Sequence, residues 1–142
     1  MSSPHDFDFL HGSWSIANRR LTQRLAGSSN WQTFSATGQC WPLLGGSANV
    51  DTFCPGPDAP FAFEGTTVRV FDPKTGEWSI FWADTVRNVL ELNVKGRFEN
   101  GQGQFMGEEE YLGRKWPLRF IWDSTPDHPR WEQAYFDDRS GQ

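Results

Sequence analysis

Arg20 and Asp84 are the polar residues of this aromatic-rich chain whose side chains are best suited to binding chemistry. An arginine offers a planar fork of donors, and a carboxylate accepts hydrogen bonds from hydroxyl groups and cations. The two side chains can therefore pair with each other or anchor the polar groups of a small molecule. Each of them alone is also typical of a solvated strand end, and a shift of one residue in register would exchange Arg20 for Arg19.

The sequence contains no recognisable catalytic or metal-binding motif. It has no Gly-x-Ser-x-Gly, no phosphate-binding loop and no dinucleotide fingerprint. Its two cysteines and three histidines do not reproduce a zinc-binding spacing. We therefore expect no metal and no cofactor. A closed aromatic cavity with Arg20, Asp84 and Tyr135 can still steer an isomerisation or a cyclisation by shape and one acid-base group.

Composition indicates one compact domain covering residues 1–142, with 8 Trp, 12 Phe and a net charge of -5. The mildly acidic balance, without runs of Lys or Arg, argues against nucleic acid and anionic membranes as partners. No apolar stretch has the length of a membrane span, and the first residues lack the features of a signal peptide. We expect a cytoplasmic protein in which Cys40 and Cys54 are free, a disulfide between them being the less favoured alternative.

Short segments of alternating apolar and polar residues dominate the chain, and Gly, Pro, Asn or Asp occupies almost every gap between them. They predict about eight or nine antiparallel strands. The only helical candidate is residues 4–10, and residues 54–65 are expected to form a loop over an opening. Because the connections are short, we expect an all-β, up-and-down barrel rather than a two-sheet Greek key, with room for one small ligand.

Period-two alternation predicts which side chains face the barrel interior if Trp14 points inward. The inward stripes are then Trp14, Ile16, Asn18 and Arg20; Trp78, Ile80, Trp82 and Asp84; Leu118, Phe120 and Trp122; and Trp131, Gln133 and Tyr135. From these stripes the predicted ligand-binding residues are Asn18, Arg20, Trp82, Asp84, Trp122 and Tyr135. The aromatic members of this set are alternatively core residues, although Trp and Tyr bring polar tips that need partners.

The short N-terminal turn followed by Gly12, Ser13 and Trp14 resembles the start of the calycin superfamily, the lipocalins and their relatives. In those barrels the tryptophan closes one end of the cavity and often stacks on an arginine from a late strand, which implies a structural role for Trp14. Four segments are together similar to a bacterial lipocalin-like family of unknown function: FDFLHGSWSIANRRL, GTTVRVFDPKTGEWSIFWAD, GRFENGQGQFMG and RWEQAYFDD. The resemblance implies a barrel and supplies no catalytic residue.

This chain departs from that family after WEQAYFDD, where family members continue into another Trp-rich strand. We therefore expect either a gapped barrel or a homodimer in which a partner chain covers the open edge. Haem-binding relatives carry an axial histidine on a late strand, whereas His128 lies in a predicted turn. The leading hypothesis is that the cavity binds a small hydrophobic or aromatic ligand. The alternatives are an isomerase or cyclase that uses the same cavity, and a protein-interaction barrel.

Overall fold

The fold is a single antiparallel β-sheet, seen here in a computed structural model that describes residues 2–21, 30–60, 62–111, 113–125 and 128–136. Two short 3-10 helices, Asp8–Leu10 and Leu44–Gly46, accompany the strands. The strands are β1 (Gly12–Leu21), β2 (Trp31–Leu43), β3 (Ala48–Pro55), β4 (Gly65–Asp72), β5 (Glu77–Asp84), β6 (Glu91–Glu99), β7 (Gln102–Tyr111), β8 (Arg114–Asp123) and β9 (Arg130–Tyr135).

Each strand pairs antiparallel with the next one along the chain, so the nine strands follow one another in sequence order. The sheet curls into a half-barrel, with β1 and β9 at the two ends of the strand order. This confirms the predicted all-β, up-and-down architecture of eight to nine strands. The predicted N-terminal helical turn is confirmed as well, and its helical hydrogen bonds fall at Asp8–Leu10.

Two of the connections show why the strands reverse where they do. Between β4 and β5, Gly76 has a φ of 73° and its amide donates to the Asp72 carbonyl at 2.8 Å. Between β6 and β7, Asn100 and Gly101 have φ values of 53° and 78°. A positive φ at both central residues matches the twist of a two-residue hairpin, and Asn-Gly is the favoured pair for it. Both connections are therefore tight turns between antiparallel strands.

One face of the curled sheet, the inner face, carries the core. The predicted stripes lie on it: in β1, Ile16 pairs with Ala36, which is 2% exposed, and in β5, Trp78 and Ile80 are 0% and 1% exposed. Burial ends toward the last strand, where Trp131 is 44% exposed although it lies on the same face. Alternation of apolar residues thus predicts the inner face correctly, while the extent of burial depends on the position of each strand in the sheet.

The N-terminal segment, residues 2–11, closes one end of the inner face, and we refer to this end as the N-terminal end. Phe7 is 1% exposed and makes aromatic contacts with four rings of the sheet. The indole Nε1 of Trp14 donates to the Leu10 carbonyl at 2.6 Å, so Trp14 ties the segment to β1. The carboxylate of Asp6 accepts from Nε1 of Trp78 at 3.1 Å and ties it to β5.

The structure tests two local predictions, the loop over residues 54–65 and the state of the two cysteines. β3 includes Cys54 and Pro55, so the predicted loop over residues 54–65 begins later, after the strand has ended. Trp41 lies inside β2 and is 43% exposed on the outer face, and the chain bends after the strand, at Leu44–Gly46. Cys40 is buried and Cys54 half-buried, and both are free, as predicted. Residues 22–29 and the last residues, 137–142, lie outside the described residues.

Candidate functional site

The candidate site lies at the end of the inner face opposite the N-terminal segment, where β1, β5, β7 and β9 end; we call this end the mouth. Burial decreases toward it along individual strands. In β5, Trp78 and Ile80 are buried and Trp82 and Asp84 are only partly buried. In β7, Phe105 is buried, whereas Glu109, also on the inner face, is partly exposed. The mouth therefore presents aromatic and polar side chains above a closed, apolar floor.

Trp82 is the central aromatic side chain of the mouth. Its ring lies directly over Gly65 of β4, where a Cβ would come within 2.0 Å of the indole. Phe53 and Phe63 flank it, with ring centroids 6.4 and 6.3 Å from that of Trp82, and they stack on each other at 6.0 Å. Phe63 belongs to the connection between β3 and β4, so part of the predicted loop does lie at the mouth. The three rings form an apolar wall with edges available for a ligand.

Asp84 is held by the turn that follows β5. Its Oδ1 accepts from the backbone amides of Val86 and Arg87, both at 3.0 Å, and its Oδ2 accepts from Nε1 of Trp82 at 2.8 Å. Partial burial would raise the pKa of Asp84, but the hydrogen bonds from the Arg87 amide, the Trp82 indole and the Val86 amide together lower it. Asp84 is thus an ionised turn residue that also orients the indole of Trp82.

Asn18 and Arg20 lie on β1, on the same face as the mouth aromatics. Asn18 is half-buried, and its Nδ2 donates to the carbonyls of Ile16 and Phe34 at 3.2 and 3.3 Å. Arg20 is exposed and lies opposite Gln32 of β2 in the register of the two strands. Three strands separate β1 from β5 in the sheet, and Asp84 is engaged by its own turn. A direct ion pair between Arg20 and Asp84 stays a prediction.

Tyr135 forms a polar group of its own on β7–β9. Its hydroxyl donates to the carboxylate of Glu109, and Nε2 of Gln133 donates to the Tyr135 hydroxyl at 3.1 Å. Leu118, which is 2% exposed, pairs with Tyr135 and supplies the apolar floor beneath it. This hydrogen bond joins a phenol and a carboxylate at the mouth end of β7 and β9.

Trp122 lies at the other end of the inner face. Its ring contacts Phe7 and Phe9, with centroids 5.8 and 5.9 Å away. Of the six predicted ligand-binding residues, the structure therefore places five on the mouth half of the sheet and puts Trp122 in the packing around the N-terminal segment.

A buried polar cluster on β2–β4 is the feature that sequence reasoning missed. Arg69 is 3% exposed; its Nη1 donates to Oδ1 of Asn49 at 2.8 Å and its Nη2 lies 2.6 Å from Oδ2 of Asp51. Cζ of Arg69 lies 5.0 Å from the ring centroid of Phe7 and 5.4 Å from that of Trp122, within range of cation–π attraction. Nε of Arg69 has no hydrogen-bond partner among the described residues.

Cys40 borders this cluster, and its Sγ lies 3.8 Å from Oδ1 of Asn49. Burial raises the pKa of the Cys40 thiol to about 11, against a lowering by Arg69, and Asp51 adds to the increase. The thiol is therefore neutral at physiological pH, and it borders the cluster as a small, weakly polar side chain.

The cluster was missed because the pattern in β4 points the wrong way. In TTVRVFD the aliphatic residues Val68 and Val70 suggest an inward stripe, yet they are only half-buried, while Arg69 and Phe71 of the other stripe are buried. Two aromatic residues favour the correct face. Phe53 lies two residues after Asp51 in β3, and Phe71 lies two residues after Arg69 in β4, so each aromatic residue shares a face with its polar neighbour.

Two open grooves lie on the other side of the sheet, over β1–β3, with volumes of about 390 and 430 Å³. Small polar side chains of the outer face line most of the first, including Ser13, Thr37, Thr52 and Cys54. Within the described ranges no group of three or more His, Cys, Asp or Glu side chains is placed to hold a metal ion. In the same residues, no helix has the length and apolar character needed to cross a membrane.

Comparison with known proteins gives no family for this chain, because neither a family model nor a curated protein matches it. The assignment of a function therefore depends on the residues of the site.

Proposed function

We propose that this protein binds one small, largely apolar or aromatic molecule at the mouth of its half-barrel, and that it does so in the cytoplasm, where its cysteines remain reduced. The resemblance to lipocalin-like barrels is part of the proposal, since such barrels hold ligands on the same face. The observation that carries it is the contrast along β5. Trp78 and Ile80 are completely buried, whereas Trp82, two residues further on the same face, is left partly exposed.

A partly exposed aromatic cluster beside polar groups is typical of small-molecule sites, which are mainly apolar with a few hydrogen-bonding groups. Trp82, Phe53 and Phe63 provide the apolar contact, and Trp82 is oriented by the hydrogen bond from its indole to Asp84. Tyr135 and Glu109 provide donors and acceptors at the same end of the inner face. In this arrangement Asp84 acts on the ligand only through the position of the indole.

The test is a titration with N-phenyl-1-naphthylamine, an uncharged probe whose fluorescence increases in apolar surroundings. We expect saturable binding, and Trp82→Leu should weaken it about tenfold because truncating an aromatic anchor removes more than about 1 kcal/mol. Trp41→Leu is the matched control, since Trp41 lies on the outer face and is 43% exposed. The proposal would be contradicted if the probe does not bind, or if both variants weaken its binding equally.

A catalytic use of the same cavity is the second candidate, and the hydrogen bond between Tyr135 and Glu109 supports it. A carboxylate that removes a proton from a substrate carbon and a phenol that returns one to another atom are sufficient for an isomerisation. The test is deuterium exchange in enolisable ketones, followed by NMR in heavy water. Loss of deuterium exchange in Tyr135→Phe would support an enzyme. Unchanged exchange in this variant would exclude this role for Tyr135 and Glu109.

A third candidate, a protein-interaction barrel or homodimer, is supported by the exposure of the last strand. β9 is at one end of the strand order, and its Trp131 is 44% exposed on the face where Trp78 is fully buried. An exposed strand edge pairs readily with another chain. Sedimentation velocity over a range of concentrations tests it: a dimer that Trp131→Lys dissociates supports the candidate, and a monomer at every concentration removes it.

A further inference from the structure

Two polar atoms of the ion pair between Arg69 and Asp51 are left without a hydrogen bond from the described part of the chain. Nε of Arg69 is buried and finds no acceptor there. The ion pair with Arg69 uses Oδ2 of Asp51, and Oδ1 of that carboxylate accepts no hydrogen bond from the described residues. A buried donor without an acceptor is costly and rare in folded proteins, so it calls for a partner.

The geometry of the ion pair explains why both atoms are free. Nε and Nη2 of an arginine form the edge that normally binds a carboxylate through two parallel hydrogen bonds. Asp51 occupies only half of this edge, with Oδ2 2.6 Å from Nη2. The N–H of Nε is therefore unused, although the Asp51 carboxylate is bound at the neighbouring Nη2.

Asp51 is the member of the cluster that lies nearest the mouth. Asn49 pairs directly with Arg69, and Asp51 pairs with Thr67, two residues nearer the mouth. The side chain of Asp51 is 19% exposed, whereas that of Arg69 is 3% exposed. Phe7 covers the guanidinium from the N-terminal end. A molecule that enters from the mouth thus meets Asp51 before the level of Arg69, whose Nε is itself buried.

Charge limits what can bind there. The positive charge of Arg69 is already balanced by Asp51, so an added anion would meet an unfavourable carboxylate and an added cation would meet the guanidinium. The neighbouring Cys40 thiol is buried and neutral. A neutral group that both accepts and donates one hydrogen bond satisfies both unused atoms.

We infer that the ligand is an uncharged molecule carrying a hydroxyl or carboxamide group, which accepts from Nε of Arg69 and donates to Oδ1 of Asp51. This inference rests on the proposed function and defines the polar part of its ligand. Trp82 and its aromatic neighbours contact the apolar part, toward the mouth.

The test compares four ligands that share one ring system: naphthalene, 2-naphthol, 2-naphthamide and 2-naphthoate. Each is used to displace N-phenyl-1-naphthylamine from the wild-type protein. We expect 2-naphthol and 2-naphthamide to displace the probe at concentrations about tenfold lower than naphthalene, because a hydrogen bond to a charged group is formed. 2-Naphthoate should be the weakest of the four.

Arg69→Lys keeps the positive charge beside Asp51 but lacks the planar edge, so it should abolish the advantage of 2-naphthol over naphthalene. Arg97→Lys is the matched control, because Arg97 is exposed on the outer face and also faces a carboxylate, that of Glu77 at 3.8 Å. The control should keep the full advantage. The wild-type series decides the question even where Arg69→Lys does not fold.

A second readout follows the Nε–H resonance of Arg69 in nitrogen-15-labelled protein, which should shift with 2-naphthol and stay in place with naphthalene. The inference is overturned if naphthalene and 2-naphthol displace the probe equally, or if the Nε–H resonance moves with neither ligand. Either result is expected if a buried water is the sole partner of Nε. The proposed function would still stand. Failure of the probe itself to bind overturns the proposed function, and the inference with it.

Discussion

The ring of Phe7 meets the ring of Trp78 edge to face, with centroids 5.0 Å apart and planes at 88°. This contact joins the N-terminal segment to the middle of the sheet, and the hydrogen bond from Nε1 of Trp78 to Asp6 reinforces it at 3.1 Å. Edge-to-face pairs add about 0.5 to 1.5 kcal/mol to the burial of the rings themselves. The N-terminal segment is therefore a structural part of the barrel and forms its closed end.

Phe7→Ala should lower the free energy of unfolding by about 3 to 5 kcal/mol, since it removes a fully buried ring and leaves a cavity among aromatic side chains. Phe136→Ala is the matched control, because Phe136 is 49% exposed, and it should cost less than about 0.5 kcal/mol. Urea unfolding measures both values. A small loss for Phe7→Ala would mean that the segment does not close the barrel.

Gly65→Ala should displace the indole of Trp82, because the added methyl group would come within 2.0 Å of that ring. We expect red-shifted Trp emission and weaker binding of N-phenyl-1-naphthylamine. In a Trp82→Leu background the same substitution should have little further effect on probe binding, since the ring that it displaces is gone. Additive effects of the two changes would contradict the contact.

Cys40 and Cys54 should differ sharply in their reaction with iodoacetamide. Burial raises the pKa of the Cys40 thiol to about 11, which leaves almost no reactive thiolate at pH 8, and the side chain is itself inaccessible. Mass spectrometry of the native protein should show one adduct, at Cys54, and a second only in denaturant. In Cys54→Ser no adduct should form under native conditions; rapid labelling of Cys40 would be inconsistent with its position beside Asn49.

Asp84→Asn should destabilise the protein at neutral pH by about 1 kcal/mol or less, because solvent screening limits the value of hydrogen bonds at a partly exposed carboxylate. The folded pKa of Asp84 lies below its ordinary value of 3.8, so its contribution is present above that pH and is lost as the pH falls through the folded pKa. The difference between wild type and variant, measured by thermal unfolding, should therefore shrink between pH 5 and pH 2. A pH-independent difference would assign the effect to packing.

Strand alternation predicts much of this fold, and the limits of that prediction are physical. Stripes such as Trp78, Ile80 and Trp82 are recognisable because large apolar residues recur at every second position. Arg69 and Asp51 are far apart in sequence, and only the register of β3 against β4 brings them together. Similarly, the contacts of Phe7 depend on how strongly the sheet curls, which a single sequence does not specify.

The residues predicted for the site show the same division. Trp82 and Tyr135 lie on the mouth half of the inner face, because their orientation follows from alternation alone. Trp122 has the predicted orientation but lies at the closed end, because its level along the barrel depends on where β8 begins. Periodicity thus predicts which face of the sheet a side chain occupies, whereas its level along the barrel depends on the three-dimensional structure.

Native mass spectrometry of the protein, purified gently from its own cells, tests the central claim most directly. We predict a complex whose mass exceeds that of the chain by one small molecule, which organic solvent releases as an uncharged aromatic or apolar compound. The ligand-free mass alone, together with no binding of N-phenyl-1-naphthylamine to the same preparation, would contradict it.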